Sequence, residues 1–202
     1  MSRDSLISLP RTTTGSQLTV GEALKSRISV REFKREFLTL EEVGELLWAA
    51  QGVNRPGGYR TAPSAGALYP LETLLVTGNV KDLKPGVYRY SPPDHVLLPL
   101  LDEDLREQLA SSALDQAWIK DSAAVLVITA IFERTTLKYG QRGHRYVHMD
   151  VGYASENVYL QATAMGLGTV AVGAFHDGKV QALLGLPADE HPLMIMPVGK
   201  PR

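Results

Sequence analysis

From Tyr146 to Met165 the chain reads as one unbroken helix whose alanine, glycine and apolar side chains extend around most of the cylinder. Such a helix has little surface to offer water, so the rest of the chain must supply something to bury it against. The 202 residues suffice for one sizeable core, and Gly166-Leu167-Gly168 ends the helix. Strands are expected at about Glu72–Thr77, Gly86–Tyr90, His95–Leu100, Ala123–Phe132, Thr169–Gly173 and Leu193–Val198. Further helices are expected at Val20–Ser26, from Thr39 to Gly52, near Glu103–Leu114 and at Lys179–Leu184. Thr39 and Glu42 have capping-box spacing ahead of Val43, Leu46, Leu47 and Ala50, and Gly52 supplies the stop. Strands and helices do not alternate strictly, which favours an α+β fold over a doubly wound parallel sheet. Residues 1–15 read as a loosely held arm and 16–202 as a single domain.

Several function classes are excluded by composition. Twenty-one basic and 22 acidic residues leave a net charge of -1, without the basic excess that nucleic acid or an anionic membrane surface would call for. Cysteine is absent, so disulfides, thiolate metal sites and a cysteine nucleophile are all ruled out, and redox chemistry would need a non-thiol cofactor. Met1 to Pro10 does not read as a signal peptide. No apolar run reaches the roughly 20 residues a bilayer span requires, and the expectation is a cytoplasmic protein.

Five segments carry groups suited to chemistry. In extended conformation Arg27, Ser29 and Arg31 project to one side, a donor array for an anionic, oxygen-rich ligand. A solvated polar edge is the commoner origin of so short a pattern. Pro63-Ser64-Ala65-Gly66 lies in the long irregular stretch Val53–Pro70, where small side chains leave the backbone open to a flat ligand or to close packing. Gly173 and Ala174 end a strand and can present an unobstructed N–H; no dinucleotide fingerprint or P-loop is present. Lys200 and Arg202 close the chain as either phosphate ligands or a soluble tail. Lys138 and Tyr139, in a stretch that reads as a polar loop, are candidate proton donors or acceptors. His144 and His148 share a helical face without a third ligand, so no metal is expected, and Trp48 and Trp118 read as core or interface residues.

In this order the segments resemble the nitroreductase superfamily, and more closely its SagB-type, thiazole/oxazole dehydrogenase-like branch. The resemblance runs from about Leu18 to Arg202 and is carried by Leu38–Gly52, Arg60–Pro70, Gly86–Tyr90 and Lys138–Gly140 leading into Arg145-Tyr146. It implies the nitroreductase fold, a central mostly antiparallel sheet flanked by helices with one long buried helix, in a homodimer with one FMN per site and residues from both subunits. Arg27 and Ser29 would serve the flavin phosphate and ribityl end, Arg31 the pyrimidine edge, and Lys200 and Arg202 the phosphate. Gly173 and Ala174 would stand near N5, and Pro63, Ser64, Ala65 and Gly66 would line the ring from the partner subunit. Lys138 and Tyr139 match the pair implicated in proton transfer in azoline dehydrogenases. The implied activity is an FMN-dependent oxidoreductase that takes electrons from NAD(P)H and passes them to a small planar nitro- or quinone-like acceptor. An azoline dehydrogenase, a non-catalytic flavin-binding protein and a flavin-free structural dimer are the alternatives.

Overall fold

The computed structural model describes residues 6–13 and 18–202. Among them seven strands form the central sheet, in the order β1 (Ile7–Ser8), β6 (Val96–Leu101), β5 (Gly86–Ser91), β4 (Leu71–Thr77), β7 (Ala124–Ile131), β9 (Glu190–Gly199) and β8 (Gly168–Thr169). Each neighbouring pair is antiparallel. β7 is buried from Ala124 to Ala130, because its alternating side chains find cover on both faces. Leu126 and Ile128 pack with helices α2 (Leu40–Gln51) and α6 (Arg142–Ala164). Val125 and Val127 pack with α3 (Arg106–Ser112), α4 (Ala117–Asp121) and α7 (Asp177–Leu183). This is an α+β fold in three layers, and each fully buried leucine in it contributes about 1.5–3 kcal/mol.

α1 (Val20–Ser26) has the expected bounds, and α2 starts at the expected box. The Glu42 N–H donates to Thr39 Oγ1 at 3.1 Å, and the Thr39 N–H donates to Glu42 Oε2 at 2.8 Å. The stop at Gly52 works differently from a left-handed cap. Its φ is -62°, but a Cβ there would fall 2.1 Å from Trp48 Cδ1. Glycine lets the indole fold back over the chain, where Trp48 Nε1 donates to the Val53 carbonyl at 3.3 Å.

Three segments differ from the sequence reading. Within 53–70 a small hairpin forms, β2 (Val53–Arg55) against β3 (Tyr59–Arg60), followed by a tight turn over Ala65–Ala67 with Gly66 at φ 64°. Lys138 and Tyr139 close a helix, α5 (Glu133–Tyr139), instead of lying in a polar loop, and α6 begins at Arg142. The corner between α5 and α6 needs Gly140, at φ 56°, and Gly143, where a Cβ would lie 2.9 Å from Thr136 Cα; the polar composition of the stretch conceals both helices. The expected strand Thr169–Gly173 is split into β8 and a separate Val172–Ile195 bridge. Between them the Ala171 N–H donates at 2.7 Å to the Tyr159 hydroxyl.

The described part of the arm lies against the sheet edge. Ile7 and Ser8 pair with Leu97 and Val96, Leu9 is buried, and the Thr13 N–H and hydroxyl both donate to Glu45 on α2. Residues 1–5 and 14–15 of the arm lie outside the described residues. α6 buries the stripe Val147, Asp150, Val151, Ala154, Val158 and Ala162 against the sheet, while Met149 and Tyr153 on its other face are 47% and 49% exposed. Among the described residues no helix is long and apolar enough to cross a membrane.

Candidate functional site

The segment 27–34 and the last residues, 199–202, meet at the β8–β9 edge of the sheet. After α1 the backbone extends from Arg27, at φ -58° and ψ 126°. The Val30 N–H donates to the Thr169 carbonyl at 2.9 Å, the Lys34 N–H to the Lys200 carbonyl at 2.9 Å, and the Arg202 N–H to the Glu32 carbonyl at 3.2 Å. Gly168 permits this approach, since a Cβ there would stand 2.6 Å from Val30 Cγ1.

Tyr159 of α6 is the hub of this region. Its hydroxyl accepts from Ala171 and lies 3.0 Å from Ser29 Oγ, and the Arg27 guanidinium lies 5.1 Å from its ring centroid. Arg27 also approaches Glu156 at 3.8 Å, a long contact between partly exposed groups. Arg31 lies 5.6 Å from the Trp118 ring, and Gln116, two residues earlier, donates to the Ala174 carbonyl at 2.9 Å. Thus Arg31 and Ala174 are both referred to the start of α4. A Cβ on Gly173 would meet nothing within 4 Å, so this backbone faces open space. Lys200 Nζ donates to Glu42 Oε1, and the carboxylate that caps α2 therefore also holds the C-terminal lysine.

A second cluster forms around Pro63–Gly66. Ser64 Oγ accepts the Tyr69 N–H at 3.0 Å, and the Ser64 carbonyl accepts the Ala67 N–H at 3.0 Å. A Cβ on Gly66 would fall 2.7 Å from the Tyr139 hydroxyl and 3.1 Å from Lys138 Nζ. The proton-transfer candidates therefore rest directly on the turn, and Tyr139 is braced edge-on by Tyr146 at 5.1 Å. Asp150 closes the other side of a cavity of about 270 Å³ bounded by Pro63, Ser64, Ala65, Tyr146 and Tyr153. Asp150 and Tyr159 are nine residues apart on α6, roughly 13 Å along its axis. In one chain the two clusters are thus separate stations on a single helix.

Asp150 is 3% exposed, and its Oδ2 has no partner among the described residues. Burial raises its pKa above the ordinary 3.8; hydrogen bonding from the Ser64 hydroxyl and the Ala65 N–H opposes this and is the smaller influence. The folded protein therefore holds this proton to higher pH than the unfolded chain does. The stability contributed by the protonated carboxyl is complete below 3.8 and is lost as pH rises through the folded-state value. Asp150→Asn is expected to remove that loss, so its melting temperature relative to the native protein should climb between acidic and neutral pH. A difference that stays constant with pH would contradict this account.

Sequence reasoning missed Tyr159, Gln116 and Asp150, and read Glu42 as a cap without its contact to Lys200. Asp150 alone left a signal, a carboxylate inside the apolar stripe Val147, Val151, Ala154 and Val158. His144 and His148 pack on Phe132, at 5.1 Å and 5.6 Å between ring centroids. Among the described residues no three metal-ligating side chains converge.

Comparison with known proteins gives concordant results. The family model described as Nitroreductase family matches residues 24–200, a span that includes every element of both clusters except the last two residues. A Methanocaldococcus jannaschii protein, MJ1384, provisionally named a nitroreductase, is 46% identical over 184 residues, covering 91% of this chain and 92% of that protein. The Escherichia coli microcin B17-processing protein McbC is 30% identical over 155 residues, or 74% of this chain, and the match spans only 57% of McbC. A Ralstonia eutropha crystal structure, also provisionally named a nitroreductase, superposes with a TM-score of 0.87 at 30% identity, covering 98% of this chain and 90% of that one.

Proposed function

The chain belongs to the nitroreductase family, and from that premise we propose that it is an FMN-dependent oxidoreductase working as a homodimer, with NAD(P)H as electron donor and a small planar nitro- or quinone-like molecule as acceptor. The observation that carries this reading is the meeting of residues 27–34 with 199–202 beside the open backbone at Gly173. The residues present suit the cofactor: guanidinium and hydroxyl donors on one segment, and a glycine whose missing side chain leaves room for a flat ring. Arg27, Ser29, Lys200 and Arg202 would hold the phosphate and ribityl end. Arg31 would stand at the pyrimidine edge, where positive charge favours the reduced, anionic ring. Gly173 and Ala174 would offer backbone donors near N5. When bound, FMN would supply hydride acceptance and donation at that atom.

Dimerisation is supported by two features of the single chain. The Pro63–Gly66 turn and the Arg27–Tyr159 region are separate stations on α6, roughly 13 Å apart along its axis, and a second copy could bring its own turn to a cofactor whose phosphate end lies at Arg27. Exposed apolar side chains accompany both stations: Val20, Leu24 and Ile28 at 72%, 56% and 68%, with Met149 and Tyr153 on α6. Apolar surface of this kind marks an interface.

A second reading is favoured by the contact of Lys138 and Tyr139 with the Gly66 turn, together with the similarity to McbC. In an azoline dehydrogenase the five-membered ring loses a hydride to the flavin and a proton to a base, and Lys138 or Tyr139 would be that base.

The test begins with the colour of the purified protein. A flavin absorbance band that is released on denaturation and bleached under anaerobic mixing with NADH or NADPH is expected. Protein that stays colourless after incubation with FMN would sink the proposal; a bound flavin that neither nucleotide reduces would leave a binding protein or a dehydrogenase with another donor. Nitro reduction unaffected in Lys138→Ala with Tyr139→Phe would assign that pair to the second reading.

A further inference from the structure

We propose that the cleft between the β2–β3 hairpin and the Pro63–Gly66 turn is a subsite for the carboxylate or phosphate of a planar second substrate, an inference that rests on the oxidoreductase reading and narrows it to anionic substrates. The cleft encloses about 430 Å³, within the range of pockets that hold small organic ligands. Its polar side chains are donors or hydroxyls, contributed by Arg55, Tyr59, Arg60, Ser64 and Tyr69 among others, and no carboxylate lines it among the described residues.

Both guanidinium groups are held in place against aromatic faces. Arg55 lies 4.6 Å from the Tyr59 ring centroid and Arg60 lies 4.8 Å from that of Tyr69. Arg60 Nη1 donates to Gln51 Oε1 at 2.8 Å and to the Leu71 carbonyl at 3.3 Å. These bonds orient the guanidinium without neutralising it. Glu72, the carboxylate that acts on Arg60, is already shared between Arg134 at 2.7 Å and Arg89 at 3.5 Å. Burial accordingly depresses the Arg60 pKa, with Glu72 opposing and Arg134 reinforcing the effect, as expected of a cation whose lost hydration is not fully replaced. An anion entering the cleft would replace it, and the tyrosine rings give a flat molecule a surface to lie on. Pro63 and Ser64 border both this cleft and the Asp150 cavity, so the occupant would lie alongside the turn assigned to the flavin ring.

An anion in this cleft could instead be the phosphate of the flavin itself. Both sources are separated by measuring calorimetrically how 4-nitrobenzoate and its neutral counterpart 4-nitrobenzamide bind to the flavin-loaded protein, with FMN and riboflavin titrated in parallel into flavin-free protein. The carboxylate is expected to bind about tenfold or more tightly than the amide, as one charge-assisted hydrogen bond allows, and less tightly at high salt. Arg55→Gln, at an exposed position of the hairpin that should not disturb folding, is expected to diminish the preference to what Arg60 alone sustains, and Arg55→Lys to retain more of it. Equal binding of the two probes by the native protein, or a preference undiminished in Arg55→Gln, would overturn the proposal. So would an Arg55→Gln variant that binds FMN more weakly while binding riboflavin normally, because the cleft would then serve the cofactor. A carboxylate preference in a protein that no nicotinamide nucleotide reduces would remove the NAD(P)H-driven reading and leave the subsite standing.

Discussion

Glu190→Ala is expected to cost about 3–5 kcal/mol of stability, the scale for removing one partner of a buried ion pair. Glu190 is 1% exposed and takes both forks of Arg89, at 3.0 Å and 2.8 Å, together with the Thr129 hydroxyl at 2.5 Å. Its loss would leave the Thr129 hydroxyl without its acceptor and the Arg89 guanidinium with the longer contact to Glu72, at 3.5 Å. The same charges continue outward: Arg89 reaches Glu72 at 3.5 Å, Glu72 holds Arg134 at 2.7 Å, and Arg134 donates to the Tyr69 carbonyl at 3.3 Å. The chain of contacts therefore runs from β9 across β5 and β4 to α5, whose last turn carries Lys138 and Tyr139. For a domain of this size the melting temperature should fall by roughly 6–20 °C. Replacing both Glu190 and Arg89 by methionine should recover most of the loss, because an apolar pair needs no compensating charge. A single variant within about 1 kcal/mol of the native protein would show that Thr129 and Glu72 can hold Arg89 unaided.

How much of this was legible beforehand varied with the range of the interaction. Local rules placed α1, the Thr39–Glu42 box and the central strands, because capping and apolar periodicity act within a few residues. β9 was expected at Leu193–Val198 but runs from Glu190 to Gly199. Pro192 concealed its beginning, and the ladder accommodates that proline where the register with β7 shifts between Ile128 and Thr129. The composition around Lys138 and Tyr139 predicts a loop because the packing of Gly143 on Thr136, which makes the helical corner, has no local signature. The site was the least local feature. Nothing in the spacing of Arg27, Ser29 and Arg31 says that residues 199–202 will lie beside them, or that Tyr159 will tie Ser29 to Ala171. Alternation alone makes Arg27, Ser29 and Arg31 a donor array, only the resemblance to a family pattern joins Lys200 and Arg202 to them, and the fold supplies the physical connection between the segments. The commitment of Lys200 to Glu42 was invisible for the same reason, since each residue has a sufficient separate explanation, one as a cap and the other as a basic tail.

Arg27→Ala should weaken FMN binding about 10- to 100-fold while changing riboflavin binding little. The two ligands differ only in the phosphate, so their affinity ratio isolates one charge. A guanidinium donating to a phosphate oxygen contributes about 1.5–3 kcal/mol, which corresponds to that range. Among the described residues Arg27 has a 3.8 Å approach to Glu156 and the face of Tyr159. Neither would resist its reorientation strongly, because the ion pair is partly exposed and such pairs contribute about 1 kcal/mol or less. Folding should be nearly unaffected, since the backbone of this segment is held by Val30 and Lys34 rather than by the Arg27 side chain. Lys200→Ala should behave otherwise. Its ammonium is bound to Glu42, so removing it relieves Glu42 of a partner as well as the phosphate of a ligand, and a loss of α2 stability should accompany the weaker FMN binding. Equal losses of FMN and riboflavin affinity in Arg27→Ala would mean that Arg27 acts on the ring or on the fold, and the phosphate would then have to be sought at another cation.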